Sequence, residues 1–191
     1  KALKYAVKMD LIPYNPADKV ERPKKQKYIA DYYRLEELEQ LFEATKDHPY
    51  SLLIQITAFY GLRRSEALGL RWDAIDFERN TITIRHIVTN AKIDGKYEIV
   101  REHRAKTKSS LRSLPLVDNI RGKLLALKEQ QKENKRICGN CYNREYDGYV
   151  FVDVMGNIFN PRNLSSNFSK LLELKGLRHI RFHDLRHSCA S

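Results

Sequence analysis

Two arginines in this chain sit where a solvated surface charge is not the ordinary expectation. Arg63 lies in Gly61-Leu62-Arg63-Arg64-Ser65-Glu66-Ala67-Leu68-Gly69-Leu70-Arg71-Trp72, directly after an apolar run, and Arg186 lies in His183-Asp184-Leu185-Arg186-His187. A planar guanidinium held by packing is pre-organised to fork onto two oxygens of a phosphate. Arg63 also has a plainer reading, an ion pair with Glu66 across a turn. In a helix, His183 and Arg186 are three residues apart and share a face, which sets an imidazole that exchanges protons near neutral pH beside a fixed charge. His187, one residue further round, is expected to point elsewhere as a structural hydrogen-bonder. Between these anchors, Arg101 to Arg112 carries five cations, Arg101, Arg104, Lys106, Lys108 and Arg112. A lysine in such a segment can hand a proton to the oxygen leaving a phosphodiester, whereas an arginine, with a pKa above about 12, cannot.

The elements that must position these groups are legible in outline. Tyr50 to Tyr60 is apolar nearly all round and predicts a core helix ended by Gly61, with a short helix following over 64–70. Upstream, Leu35, Leu38, Leu41 and Phe42 share one face of an amphipathic helix over Leu35 to Ala44, with Glu36 and Glu37 in the first turn where the helix dipole favours them. Thr81 to Ile84 alternates with period two and is β-branched, so it reads as a strand. Tyr97 to Val100 and Leu111 to Leu116 read as two more, with a loop over Asn90 to Lys96 around Asp94-Gly95. Val117 to Lys135 is helical in pattern, Arg136 to Gly148 reads as a loop and Tyr149 to Val152 as a short strand. Asn160 before Pro161 starts a last long helix that Gly176 ends. Arg162, Asn163 and Ser165 stand at its N-terminus, where they face a phosphate or simply cap. At the front of the chain, Lys1 to Ile12 has helical spacing stopped by Pro13, and a basic, turn-rich linker occupies Pro13 to Gln26. The fold class expected is α+β, mainly helical, with a small antiparallel β-sheet carrying a basic hairpin.

Composition narrows the partners. The 191 residues hold 35 Lys and Arg against 24 Asp and Glu, a formal net charge of +11. That balance points to a polyanion, nucleic acid by default. There is no apolar run approaching the ~20 residues a membrane span requires and no signal-peptide pattern, so the chain reads as cytoplasmic and without a membrane partner. Three cysteines argue against a disulfide framework. Cys138 and Cys141 have the spacing of metal ligands, but a zinc site needs two more, and His103, His179 and Cys189 form no second short-spaced pair. A loop with two free thiols is favoured over a zinc-stabilised regulatory domain.

The GLRRSEALGLRW segment, Lys106-Thr107-Lys108-Ser109-Ser110-Leu111-Arg112-Ser113-Leu114-Pro115 and HDLRH occur in an order and at separations that resemble the tyrosine recombinase (phage integrase) family, with the nearest likeness to integrases of conjugative transposons. The likeness covers about residues 28–191 as a catalytic domain, and 1–27 resembles the end of a preceding core-binding domain with its basic linker. The resemblance implies site-specific cleavage and rejoining of DNA. A tyrosine hydroxyl attacks the scissile phosphate to give a 3′-phosphotyrosyl intermediate, without metal or other cofactor. It assigns Arg63 and Arg186 to the non-bridging oxygens, Lys106 to protonation of the leaving 5′-oxygen with Lys108 as competitor, and His183 to proton movement at the nucleophile. It further implies double-stranded DNA as partner, a homo-tetramer assembled on it, and DNA contacts from Lys24, Lys25, Arg104, Lys108 and Arg162.

One departure stands out. In the family a second histidine or tryptophan and then the nucleophilic tyrosine follow the HxxR box, whereas here the last of eleven tyrosines is Tyr149. The expectation is a C-terminally incomplete catalytic domain that binds DNA without cutting it. A non-catalytic DNA-binding relative and a type IB topoisomerase-like enzyme are the alternatives.

Overall fold

The computed structural model describes residues 1–21, 31–103 and 112–189. Lys24, Lys25, Arg104, Lys106 and Lys108 lie outside the described residues. The architecture is α+β, with helices enclosing one core and the strands antiparallel.

Helix α1 (Ala2–Lys8) buries none of its side chains and ends earlier than its apolar spacing suggests. Asp10 takes a left-handed φ of 53°, which breaks the helix before Pro13 is reached. Helix α2 (Leu35–Ala44) has the predicted bounds and buries Leu41. Helix α3 (Ser51–Tyr60) is the centre of the core, with every residue from Leu53 to Ala58 buried. Its two buried polar residues are satisfied locally or by a neighbour. The Thr57 hydroxyl donates to the Leu53 carbonyl at 2.7 Å, and Gln55 accepts from Lys123 Nζ at 2.6 Å.

Gly61 ends α3 in the left-handed region at φ 58°, which lets the chain turn at once into α4 (Arg64–Leu68). A Cβ at Gly61 would meet Cys189 Cβ at 3.4 Å and the Arg186 carbonyl at 3.6 Å, so this turn packs against the Arg186 segment. Gly61→Ala is expected to lower stability by about 1 kcal/mol through the left-handed backbone. Thermal or urea unfolding checks this, and an unchanged midpoint would show that the turn yields without cost.

Strands β1 (Ile75–Asp76), β2 (Thr81–Ile84) and β5 (Arg112–Pro115) form one antiparallel sheet in the order β1-β2-β5, with Ile84 opposite Arg112. Strands β3 (His86–Ile93) and β4 (Lys96–His103) form a separate hairpin. The loop expected over Asn90 to Lys96 shrinks to the two residues Asp94 and Gly95, at φ 47° and 83°. Positive φ at both positions is the geometry of a primed two-residue turn. Asn90 to Ile93 are therefore free to pair with Ile99 to Lys96.

Two further expectations are corrected. Helix α5 (Asp118–Cys138) runs on past Lys135, and a single 3-10 turn (Gly139–Cys141) follows it. Tyr149 to Val152 form no strand, only isolated bridges of Tyr149 to Arg71 and of Val152 to Ile158. Helix α6 (Pro161–Leu174) starts as read, with the Asn160 side chain accepting from the Arg162 N–H at 2.9 Å. A 3-10 turn (Phe182–Asp184) leads into α7 (Leu185–Ser188), which lies against α3.

Candidate functional site

The site forms where the turn after α3 meets α7. Arg63 caps α4 in extended geometry, φ −70° and ψ 149°, and one helical turn on Glu66 points inward with a fully buried side chain. The Arg63 N–H donates to Glu66 Oε2 at 2.9 Å, and its Nη1 donates to Oε1 at 2.9 Å. Arg112, from the start of β5, brings Nη2 to Oε2 at 2.9 Å. Arg186 Nη1 stands 3.9 Å from the same Oε2, buried and without a hydrogen-bond partner among the described residues. The plainer reading of Arg63, an ion pair with Glu66, is what the structure shows, and through that carboxylate Arg63 neighbours Arg186.

Among the described residues, three guanidiniums gather around the Glu66 carboxylate, an excess of two positive charges over that one negative charge. The arginine side chains are 47%, 33% and 31% exposed for Arg63, Arg112 and Arg186, while Glu66 is at 0%. Negative charge is thus sequestered below and positive charge is presented above, an arrangement that receives an anion with several acceptor oxygens.

Packing fixes these positions from both sides. Cys189 Sγ donates to the Phe59 carbonyl at 3.0 Å and ties the end of α7 to α3. Asp184, 1% exposed, accepts from Arg181 N, Nε and Nη2 at 3.1, 2.9 and 2.7 Å, which sets the turn that carries His183. Those bonds from Arg181 hold its carboxyl below the usual carboxylate range. The Tyr33 N–H donates to Ser188 Oγ at 2.9 Å and the Tyr33 hydroxyl to the Arg178 carbonyl. Arg178 in turn forks onto Glu37 at 2.7 and 3.0 Å, so the approach to α2 is strapped over the histidine segment.

His183 sits on this turn with its residue surface open to solvent. Its proton affinity is lowered, first by partial desolvation and next by the charge of His187, with smaller contributions from Arg186 and Arg181. An imidazole so placed is mainly neutral at pH 7 and is able to accept a proton. The His187 ring, expected to point elsewhere, lies 5.7 Å from that of His183 in an edge-on arrangement. A 3-10 turn running into α7 keeps the two rings adjacent.

Arg162 is placed apart from the arginine cluster in its contacts. Its guanidinium stacks over the Tyr97 ring at 4.2 Å, which joins the start of α6 to the β3–β4 hairpin. Cys138 Sγ makes its contact with the Val154 carbonyl at 3.5 Å, and among the described residues no group of three His, Cys, Asp or Glu is placed to hold a metal ion. No helix of the described residues is long and apolar enough to cross a membrane.

The sequence matches the phage integrase family over residues 32–191, which includes every element of this site. The chain belongs to that family. This integrase-family chain is 30% identical over 187 residues to a "tyrosine recombinase XerC-like" protein of Caldanaerobacter subterraneus subsp. tengcongensis, covering 95% of the chain and 46% of that relative. It is 29% identical over 163 residues to the "prophage ps2 probable integrase" of Lactococcus lactis subsp. lactis, covering 80% and 41%. The chain thus spans about half the length of the curated relatives it matches. Among solved structures it superposes on the Tn1549 transposon integrase in complex with a circular intermediate DNA, at TM-score 0.72 and 18% identity over 98% of this chain and 61% of that one. It also superposes on XerA recombinase, at TM-score 0.62 and 16% identity over 99% and 58%. These likenesses show a shared fold.

Sequence reasoning missed two members of the integrase-family cluster in their structural roles. The sequence marks Arg112 only as one basic residue among five, and Glu66 only as a turn partner for Arg63. Their spacing to Arg186 carries no local signal. The pairing of β5 with β2, which places Arg112 opposite Ile84, is what brings it to the end of α4.

Proposed function

We propose that this chain is the catalytic-domain portion of a site-specific DNA recombinase that cleaves and rejoins DNA through a 3′-phosphotyrosyl intermediate. The observation that carries the reading is the convergence of Arg63 and Arg186, from segments far apart in the chain, on the buried carboxylate of Glu66. Their exposed edges suit the two non-bridging oxygens of a phosphodiester and the added charge of its pentacoordinate transition state. When a tyrosine hydroxyl attacks phosphorus, the bond to the 5′-oxygen breaks and that oxygen takes a proton. Lys106 is the proposed donor, with Lys108 as the alternative, and neutral His183 assists removal of the tyrosine proton.

DNA is the proposed partner. The Tn1549 integrase that shares the fold is held in complex with a circular intermediate DNA, and a lambda integrase tetramer of the same fold is bound to a Holliday junction. Lys24, Lys25, Arg104, Lys108 and Arg162 are proposed phosphate contacts, with residues 1–27 as the end of a core-binding domain and its linker. A homo-tetramer on DNA is the proposed assembly.

Two tyrosines on the elements that carry the site are already engaged. The Tyr60 hydroxyl donates to the Pro115 carbonyl at 2.8 Å and the Tyr33 hydroxyl to that of Arg178. Burial raises the pKa of both, which makes them weaker nucleophiles. With a net charge of +11, the 191-residue chain is expected to bind duplex DNA with strong salt dependence, and it is expected to form no covalent adduct on a suicide substrate. Fluorescence anisotropy against salt tests the first point. Arg63→Ala and Arg186→Ala each lower the salt slope by about 1 if they hold phosphate. Unchanged affinity and slope in both variants would end the reading, and a DNA-linked band lost on mutating an internal tyrosine would overturn the no-adduct expectation.

A further inference from the structure

Arg186 presents an unusual balance. Its Nη1 is buried and lacks a hydrogen-bond partner among the described residues, yet the carboxylate it faces lies only 3.9 Å away. An orphaned buried donor costs free energy, and closing onto Glu66 would relieve that cost. What stands in the way is valence. A carboxylate oxygen offers two lone-pair sites, and among the described residues the Arg63 N–H and Arg112 Nη2 take them on Oε2, both at 2.9 Å. Arg63 is fixed by the backbone as the cap of α4, so among the described residues the occupant of Oε2 that a side-chain change can remove is Arg112.

We propose that Arg112 is a positioning residue: by filling the second site on Glu66 Oε2 it keeps Arg186 off that carboxylate, with the outer edge of its guanidinium turned toward an incoming phosphate-like anion. The distance at stake is the difference between 3.9 Å and 2.9 Å, 1.0 Å. A displacement of about 1 Å in an anion-orienting group costs as much as 10²-fold in a reaction that depends on alignment. Arg112 also compensates the buried negative charge, which leaves the positive charge of Arg186 for the ligand. The inference rests on the recombinase reading only in taking a phosphate as what docks on Arg186.

The test uses the 191-residue chain with inorganic phosphate as probe. The guanidinium proton–nitrogen resonance of Arg186, identified by its loss in Arg186→Lys, reports where that group sits. In Arg112→Gln the resonance is expected to move without any anion, as Nη1 closes onto Glu66, and phosphate affinity to fall about 10-fold. Arg64→Gln is the control for lost charge alone. Arg64 bonds to Ser165 Oγ at 2.9 Å rather than to Glu66, so its removal leaves the Arg186 resonance in place. If Arg112→Gln does not fold, Arg112→Met, which keeps the apolar stem, takes its place with the same two readings. An Arg186 resonance that stays at its wild-type position, or an affinity loss matched by Arg64→Gln, overturns the proposal. Because inorganic phosphate and not DNA is the probe, failure of the Arg63→Ala and Arg186→Ala DNA experiments would sink the recombinase reading and leave this one to be decided by the resonance.

Discussion

Gly69→Ala is expected to lower the free energy of unfolding by about 3 kcal/mol, the upper end for an overpacked site. The reason is close approach, not backbone strain, because φ at Gly69 is −80° and open to any residue. A Cβ there would lie 2.5 Å from the His86 carbonyl oxygen and 2.7 Å from both the His86 carbonyl carbon and Ile87 Cα. All three are backbone atoms of β3 and cannot swing aside as a side-chain tip would. Relief requires the end of α4 to lift from the hairpin, and α4 carries Glu66. Phosphate or DNA binding through the arginine cluster is therefore expected to weaken together with stability. Urea unfolding checks the first effect through a lower midpoint at constant m. A midpoint within about 0.5 kcal/mol of wild type would mean that the α4–β3 contact is soft.

The second large effect is on acidification. His86 is 7% exposed, and its ring lies 4.1 Å from that of His103 at the base of the hairpin. Burial, then the charge of His103, then Arg71 lower its pKa from 6.5 to about 4, with Asp73 opposing and Arg85 adding slightly. Here the folded value lies below the unfolded one, so the unfolded chain binds more protons between the two. The contribution is fully present above pH 6.5 and is lost as pH falls toward 4. At about 1.4 kcal/mol per pH unit, the loss amounts to about 3 kcal/mol. His48 and His183 are lowered too and act with the same sign. Asp184 and Glu37, whose carboxyls are held low by Arg181 and Arg178, lose their contributions only as pH falls further. Urea unfolding at pH 7, 6 and 5 isolates the histidine window, and His86→Phe is expected to flatten most of the slope. A variant whose stability falls as steeply as wild type would place the sensitive group elsewhere.

The two effects meet at one place. Gly69 packs on the backbone of His86, so the helix that holds Glu66 lies directly against the hairpin that holds the histidine pair. Acid loosening of the hairpin and overpacking at Gly69 are thus expected to disturb the arginine cluster by the same route.

What local chemistry settles was readable without coordinates. The bounds of α2, the strand at Thr81–Ile84, the left-handed end of α3 at Gly61 and the Asn160-Pro161 start of α6 each depend on side chains within a few residues of one another. The grouping of Arg63, His183 and Arg186 into one chemistry came from the family resemblance of their motifs and is carried here as a proposal. The hairpin turn was placed, but its length was not. Asp94 in positive φ leaves Asn90 to Ile93 free to pair, a choice made by the partner strand. The strand read at Tyr149 to Val152 dissolved into single bridges because its neighbours are Arg71 and Ile158 and not a second extended run.

Tertiary structure alone decided that Arg112 and Arg186 join Arg63 at Glu66. No periodicity links Arg112 to Arg186, and both reach Glu66 Oε2 because β5 pairs with β2 while α7 packs on α3. Backbone hydrogen bonding and side-chain periodicity act over a turn or two of chain, so one sequence suffices to read them. The 1.0 Å that separates a bonded guanidinium from an available one is set by packing between elements distant in sequence, and that information exists only once the chain has folded.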